Sequence, residues 1–197
     1  MKIREFWKVC KKLANEERLD VLRKVMTLPE DGGLPVGQIA DEVHAGQPAT
    51  SIYLAELHDV CGLVASCRAG RYNLYYPAPD ASDAKAVTLF KALRKYFFAE
   101  RTAWASVNGT RPPAPKFLSI LPALANATRV HLLGLIRIKG RTDLAQIGQW
   151  TRLTKLNLRR HLSCIVTCGL ANVCGDDVIW REPSDETSRI LIDLSLT

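Results

Sequence analysis

Five side chains that could hold an anion or bond a heterocycle edge crowd into one short stretch: Lys155, Asn157, Arg159, Arg160 and His161. A guanidinium is a planar fork that bonds two acceptors at once, whereas an ammonium is a mobile point charge. A second group, Gln47, Thr50, Ser51 and Tyr53, offers amide and hydroxyl groups but no cation, and Glu56 and Asp59 add negative charge beside it. A third pair, Arg68 and Arg71, brackets Ala69-Gly70. Cations of this kind suit a polyanion, through phosphate contact and counterion release, and amides and hydroxyls suit phosphates or base edges. Covalent chemistry is not indicated. No nucleophile and base share a recognisable spacing, and there is no phosphate loop, so no catalytic residue and no enzyme is read. The cysteines form no Cys-x-x-Cys pair and His44, His58, His131 and His161 are scattered, so no metal or cofactor is expected.

The net charge of +7 is unevenly spread: −1 over residues 1–80, +4 over 81–115 and +4 over 116–197. A basic balance fits a polyanionic partner as well as simple solubility. Apolar residues make up 47 % of the chain, enough for a packed core. No apolar run approaches the roughly 20 residues needed to span a bilayer. The charged stretch Met1 to Lys12 lacks the uninterrupted apolar segment of a secretion signal. A cytoplasmic protein with reduced thiols and no membrane partner is therefore expected.

The elements that must position these groups occur twice. Leu13-Ala14-Asn15 recurs as Leu124-Ala125-Asn126, and Arg18, Leu22 and Val25 recur as Arg129, Leu133 and Ile136, all at a spacing of 111 residues. Gln38-Ile39, Leu54 and Leu57 recur as Gln146-Ile147, Leu162 and Ile165 at 108, and Cys61-Gly62-Leu63 recurs as Cys168-Gly169-Leu170 at 107. The spacing drifts only where turns are expected. In the first half the pattern predicts helices over 3–13, 16–27, 36–43 and 48–60, with Asn15 capping the second and Gly62 closing the fourth. Strands over 63–67 and 72–76 then form a hairpin around Ala69-Gly70-Arg71. The second half predicts helices near 116–125, 127–138, 142–150 and 154–167, and strands near 170–174 and 178–182 about Gly175-Asp176-Asp177. A further strand, Arg189 to Leu194, has no counterpart. Between the halves, 82–107 reads as a long helix with Val87, Phe90, Leu93, Phe97 and Phe98 along it, and 108–115 as a proline-rich linker.

Short helices followed by a hairpin describe a winged helix-turn-helix. Leu124-Ala125-Asn126-Ala127-Thr128-Arg129, then Leu158-Arg159-Arg160-His161-Leu162, then Cys168-Gly169-Leu170, together resemble the ArsR/SmtB family of bacterial regulators. The first half keeps Leu13-Ala14-Asn15-Glu16-Glu17-Arg18, and its Arg68 to Tyr76 segment is similar to the family's basic wing ending in paired tyrosines. The resemblance implies a mainly α fold with small β-hairpin wings (α+β), as tandem winged helix-turn-helix domains joined by a long helix. The domains would be 1–80 and 116–197, with 81–115 connecting them.

The resemblance also implies a transcriptional regulator that binds double-stranded DNA. Helices 48–60 and 154–167 would enter the major groove, and the wing at 68–72 would contact the backbone or minor groove. Arg159 and Arg160 are then the leading contacts, followed by Lys155 and Asn157, with His161, Gln47, Thr50, Ser51, Tyr53, Arg68 and Arg71 completing the set. The family's metal sites do not carry over, because helices 36–43 and 142–150 lack cysteine and 82–107 lacks histidine. A homodimer, or an intramolecular pseudo-dimer, is expected to use helix 82–107. The acidic first half and the Asp176-Asp177 wing tip keep an alternative open: a degenerate winged-helix interaction module that binds no DNA.

Overall fold

Asn15 and Asn126 do the same work at the same place in the two repeats. Each has extended backbone, and each side chain accepts the amide three residues on, Arg18 at 2.7 Å and Arg129 at 3.1 Å. That satisfies one of the orphan donors at a helix start and fixes where both helices begin. The structure, a computed structural model, describes residues 6–29, 32–104 and 115–197, the side chains of 102–104 excepted.

The elements follow in chain order. They are α1 (Phe6–Leu13), α2 (Glu16–Met26), β1 (Leu34–Pro35), α3 (Val36–Glu42), α4 (Gln47–Asp59), β2 (Val64–Ala69), β3 (Tyr72–Pro77) and α5 (Ala84–Trp104). A 3-10 turn (Lys116–Ser119) then leads to α6 (Leu121–Leu124), α7 (Ala127–Lys139), β4 (Arg141–Asp143), α8 (Leu144–Thr151), α9 (Lys155–Thr167), β5 (Ala171–Cys174), β6 (Asp177–Trp180) and α10 (Glu186–Leu196). The fold is mixed α+β, mainly helical with two small antiparallel sheets. Among the described residues, one compact unit is formed by 12–104 and the other by 115–197 together with 6–11.

Each unit has one three-stranded sheet, with order β1-β3-β2 in the first and β4-β6-β5 in the second. The hairpins turn alike. Ala69 pairs with Tyr72 around Gly70-Arg71, and Cys174 pairs with Asp177 around Gly175-Asp176. Gly70 and Gly175 have φ of +61° and +63°, the positive φ that a two-residue turn with glycine in first place requires.

In the first unit the core gathers Leu19, Leu22 and Val25 of α2, Leu54 and Leu57 of α4, and Leu89, Leu93 and Phe97 of α5. In the second it gathers Leu132, Leu133 and Ile136 of α7 with Leu158, Leu162 and Ile165 of α9. Full burial of each such side chain is worth about 1.5–3 kcal/mol, so these helices are held by their apolar faces rather than by propensity.

The expected strand Arg189 to Leu194 is instead the middle of α10. Asp185 caps that helix, accepting from the Ser188 amide at 2.8 Å, and the buried residues Thr187, Ser188, Leu191 and Ile192 recur at helical spacing. The short strands β1 and β4, each pairing with the second strand of a hairpin, were not anticipated. Helix 82–107 is described as α5 up to Trp104, and the linker 108–115 lies outside the described residues except for Pro115. Among the described residues no helix is long and apolar enough to cross a membrane.

Candidate nucleic-acid interface

Helix α9 starts at Thr154, whose hydroxyl accepts from the Asn157 amide at 3.4 Å. Leu158, Leu162 and Ile165 anchor it, so the opposite face is dictated by the 100° advance per residue: Leu156, Arg160, Ser163 and Thr167, flanked by Arg159. All five are exposed, as are Lys155 and Asn157. Among the described residues the side chains of Lys155, Arg159 and Arg160 have no ion-pair or hydrogen-bond partner. Leu156, 61 % exposed, sits at the centre of this face and was not among the anticipated residues. Neither was Ser163. Both follow from the helical phase once the buried trio is known.

The cations divide. Lys155 and Arg159 border a cleft of about 360 Å³ whose other walls include Leu144, Leu153, Leu158 and Asp176. Asp143 also lines it, but its carboxylate caps α8 by accepting from the amides of Ala145 (2.6 Å) and Gln146 (3.3 Å). Arg160 points away, onto the outer face. His161 is half-buried, and burial followed by the nearby Arg129 charge lowers its pKa.

In α4 the buried trio is Thr50, Leu54 and Leu57, in phase with that of α9. Thr50 is thus placed in the core, its hydroxyl donating to Gly46 O at 3.1 Å, and it is not available to a partner. Tyr53 is also engaged within the unit. Its hydroxyl donates to Glu17 Oε2 at 2.5 Å, which is the chief reason its pKa is raised, and the Arg18 guanidinium lies 5.0 Å from its ring centroid. Glu56 pairs with both Lys12 and Arg18. The outward face of α4 carries Pro48, Ser51, Ile52, Ala55 and Asp59, without a cation. Gln47 and Ser51 remain exposed, and Ile52 is 59 % exposed.

The first wing presents Arg68, Arg71 and Tyr72 to solvent, with Arg68 Nε donating to Gly70 O at 3.4 Å. At the second wing Asp177 is neutralised by Arg141, whose Nε donates to it at 3.1 Å, leaving Asp176 as the exposed carboxylate of the tip. Of the cysteines, Cys10 and Cys61 are buried and Cys67 and Cys174 exposed. Burial pushes Cys61 up to about 12, and burial with the neighbouring Cys164 pushes Cys168 up to about 11. Among the described residues no three His, Cys, Asp or Glu side chains gather as a metal ion would need.

No family model, no curated protein and no solved structure matches this chain.

Proposed function

We propose that the protein is a cytoplasmic, DNA-binding transcriptional regulator made of two winged helix-turn-helix units of ArsR/SmtB type. The observation that carries this reading is the solvent side of α9, where Arg160 on the outer face and Arg159 between that face and the cleft stand exposed with no counter-ion among the described residues. A helix of that kind, followed at once by a hairpin, suits a major groove, and an arginine fork there bonds guanine in two places. The element order helix–strand–helix–helix–hairpin, present in both units with the same sheet order, supports the tandem reading. In the first unit Arg68 and Arg71 of the wing are the natural phosphate contacts, since α4 offers only Gln47 and Ser51.

Selection from pooled random duplex DNA, followed by titration at two salt concentrations, tests the proposal. Affinity should fall steeply with salt, with a log–log slope of roughly −0.9 per phosphate contacted. Arg159→Ala with Arg160→Ala should weaken specific binding at least about tenfold, because each bidentate base contact is worth roughly 1–3 kcal/mol. Melting should not change, because both side chains are exposed and unpaired. Absence of duplex binding even at low salt would reject the proposal. It would extend to the whole chain the second reading, an interaction module, which the cation-free face of α4 around Ile52 favours locally.

A further inference from the structure

Arg18 and Arg129 hold one position in the two repeats, each donating its backbone amide to the capping asparagine. Their surroundings have diverged. Arg18 is neutralised by Glu56, which also holds Lys12, and it stacks on Tyr53, itself bonded to Glu17. At the corresponding positions the second unit has Cys164 for Glu56, His161 for Tyr53, Thr128 for Glu17 and Ala123 for Lys12. Every carboxylate of the first cluster is gone, yet the arginine stays.

Arg129 is therefore a half-buried guanidinium without an ion pair among the described residues. Its Nε is buried without a partner, as is that of Arg18; what differs is the missing acid at the other end of the fork. Burial, then the nearby Arg129 charge, lowers the pKa of His161. Asn157, His161 and Cys164 share one flank of α9 at i, i+4, i+7 spacing, and Asn157 is exposed beside them.

We infer that Arg129 and His161 form an oxyanion-binding site in the second unit, which the first unit has closed with its own carboxylate, Glu56. The ligand is a phosphate-type oxyanion. The fork of Arg129 supplies paired charge-assisted donors, and neutral His161 supplies one N–H. Arg129 lies in the first turn of α7, whose positive end adds to the attraction. The oxyanion comes either from a DNA backbone phosphodiester or from free phosphate, and the first of these rests on the DNA-binding reading above. On that reading the two units differ in more than their base-facing residues: one can clamp the backbone beside its recognition helix and the other cannot.

The test re-creates the closed cluster. Cys164→Glu places a carboxylate where Glu56 stands, and Cys164→Gln is the neutral control. With the full chain and the selected duplex, Cys164→Glu should weaken binding about tenfold, and Arg129→Ala should lower the salt slope by about one. Cys164→Gln should match the wild type. Without DNA, inorganic phosphate should raise the melting temperature of the wild type but not of Cys164→Glu if the site takes free oxyanions. Circular dichroism checks folding, and Cys164→Glu keeps the test open should Arg129→Ala fail to fold. Loss in the DNA arm alone assigns the site to the backbone, and loss in the phosphate arm alone assigns it to a free anion. Salt-sensitive DNA binding that both variants retain, with no phosphate effect on melting, overturns the site. A wild type that binds no duplex removes the regulator reading and leaves the phosphate arm to decide the site.

Discussion

His161 is the residue whose environment leaves a signature in stability. Burial, then the Arg129 charge, keeps its pKa below the ordinary histidine value. The unfolded chain therefore takes up a proton more readily than the folded one, and stability falls as pH drops through about 6.5 and on toward the lower folded value. In phosphate-free buffer the melting temperature of the wild type should fall between about pH 7.5 and 5.5 by more than that of His161→Asn. Parallel curves would mean that His161 titrates as it does in water. Thr50 shows where residue type misleads. A threonine beside Ser51 reads as a hydrogen-bonding contact, but only the phase shared with Leu54 and Leu57 reveals that it faces the core. Glu56 was legible as a charge opposing phosphate, but not as the partner of Lys12 and Arg18, because these residues lie far from it in sequence and meet it only in the folded unit.

Among the elements, α10 is the instructive one. Ile190, Ile192, Leu194 and Leu196 alternate with a period of two and include β-branched residues, so they read as a strand. The competing signal, an aspartate capping the amide of Ser188 and burial at 187, 188, 191 and 192, wins because the helix satisfies its own backbone and still buries Leu191 and Ile192. Asp185→Ala should cost about 1 kcal/mol in chemical denaturation and speed amide exchange at the start of α10. No change in either would show that packing alone holds the helix. The long amphipathic helices and both hairpins were legible because capping asparagines, turn glycines and apolar periodicity agree on them. β1 and β4 were not, since strands of two and three residues carry no alternation and are defined only by the β3 and β6 edges they join.

At the scale of the whole molecule, chain order and compactness part company at α1. Phe6, Val9 and Cys10 are buried, and residues 6–11 group with 115–197 rather than with the helices that follow them. Phe6→Ala with Val9→Ala should therefore reduce hydrogen-exchange protection in 115–197 more than in 16–77. The opposite order would return the helix to the first unit. Core truncations of this kind cost about 2–5 kcal/mol each, so the effect is readable. The arrangement also sets a timetable for synthesis. Residues 6–11 leave the ribosome well before 115–197, and at about 5–20 residues per second the interval is on the order of 5–20 s. Through that interval a helix with one apolar face has been made whose destination has not. The second unit closes by recruiting a segment already waiting, and a chain interrupted before Pro115 strands that segment as exposed apolar surface for chaperones or proteases to find.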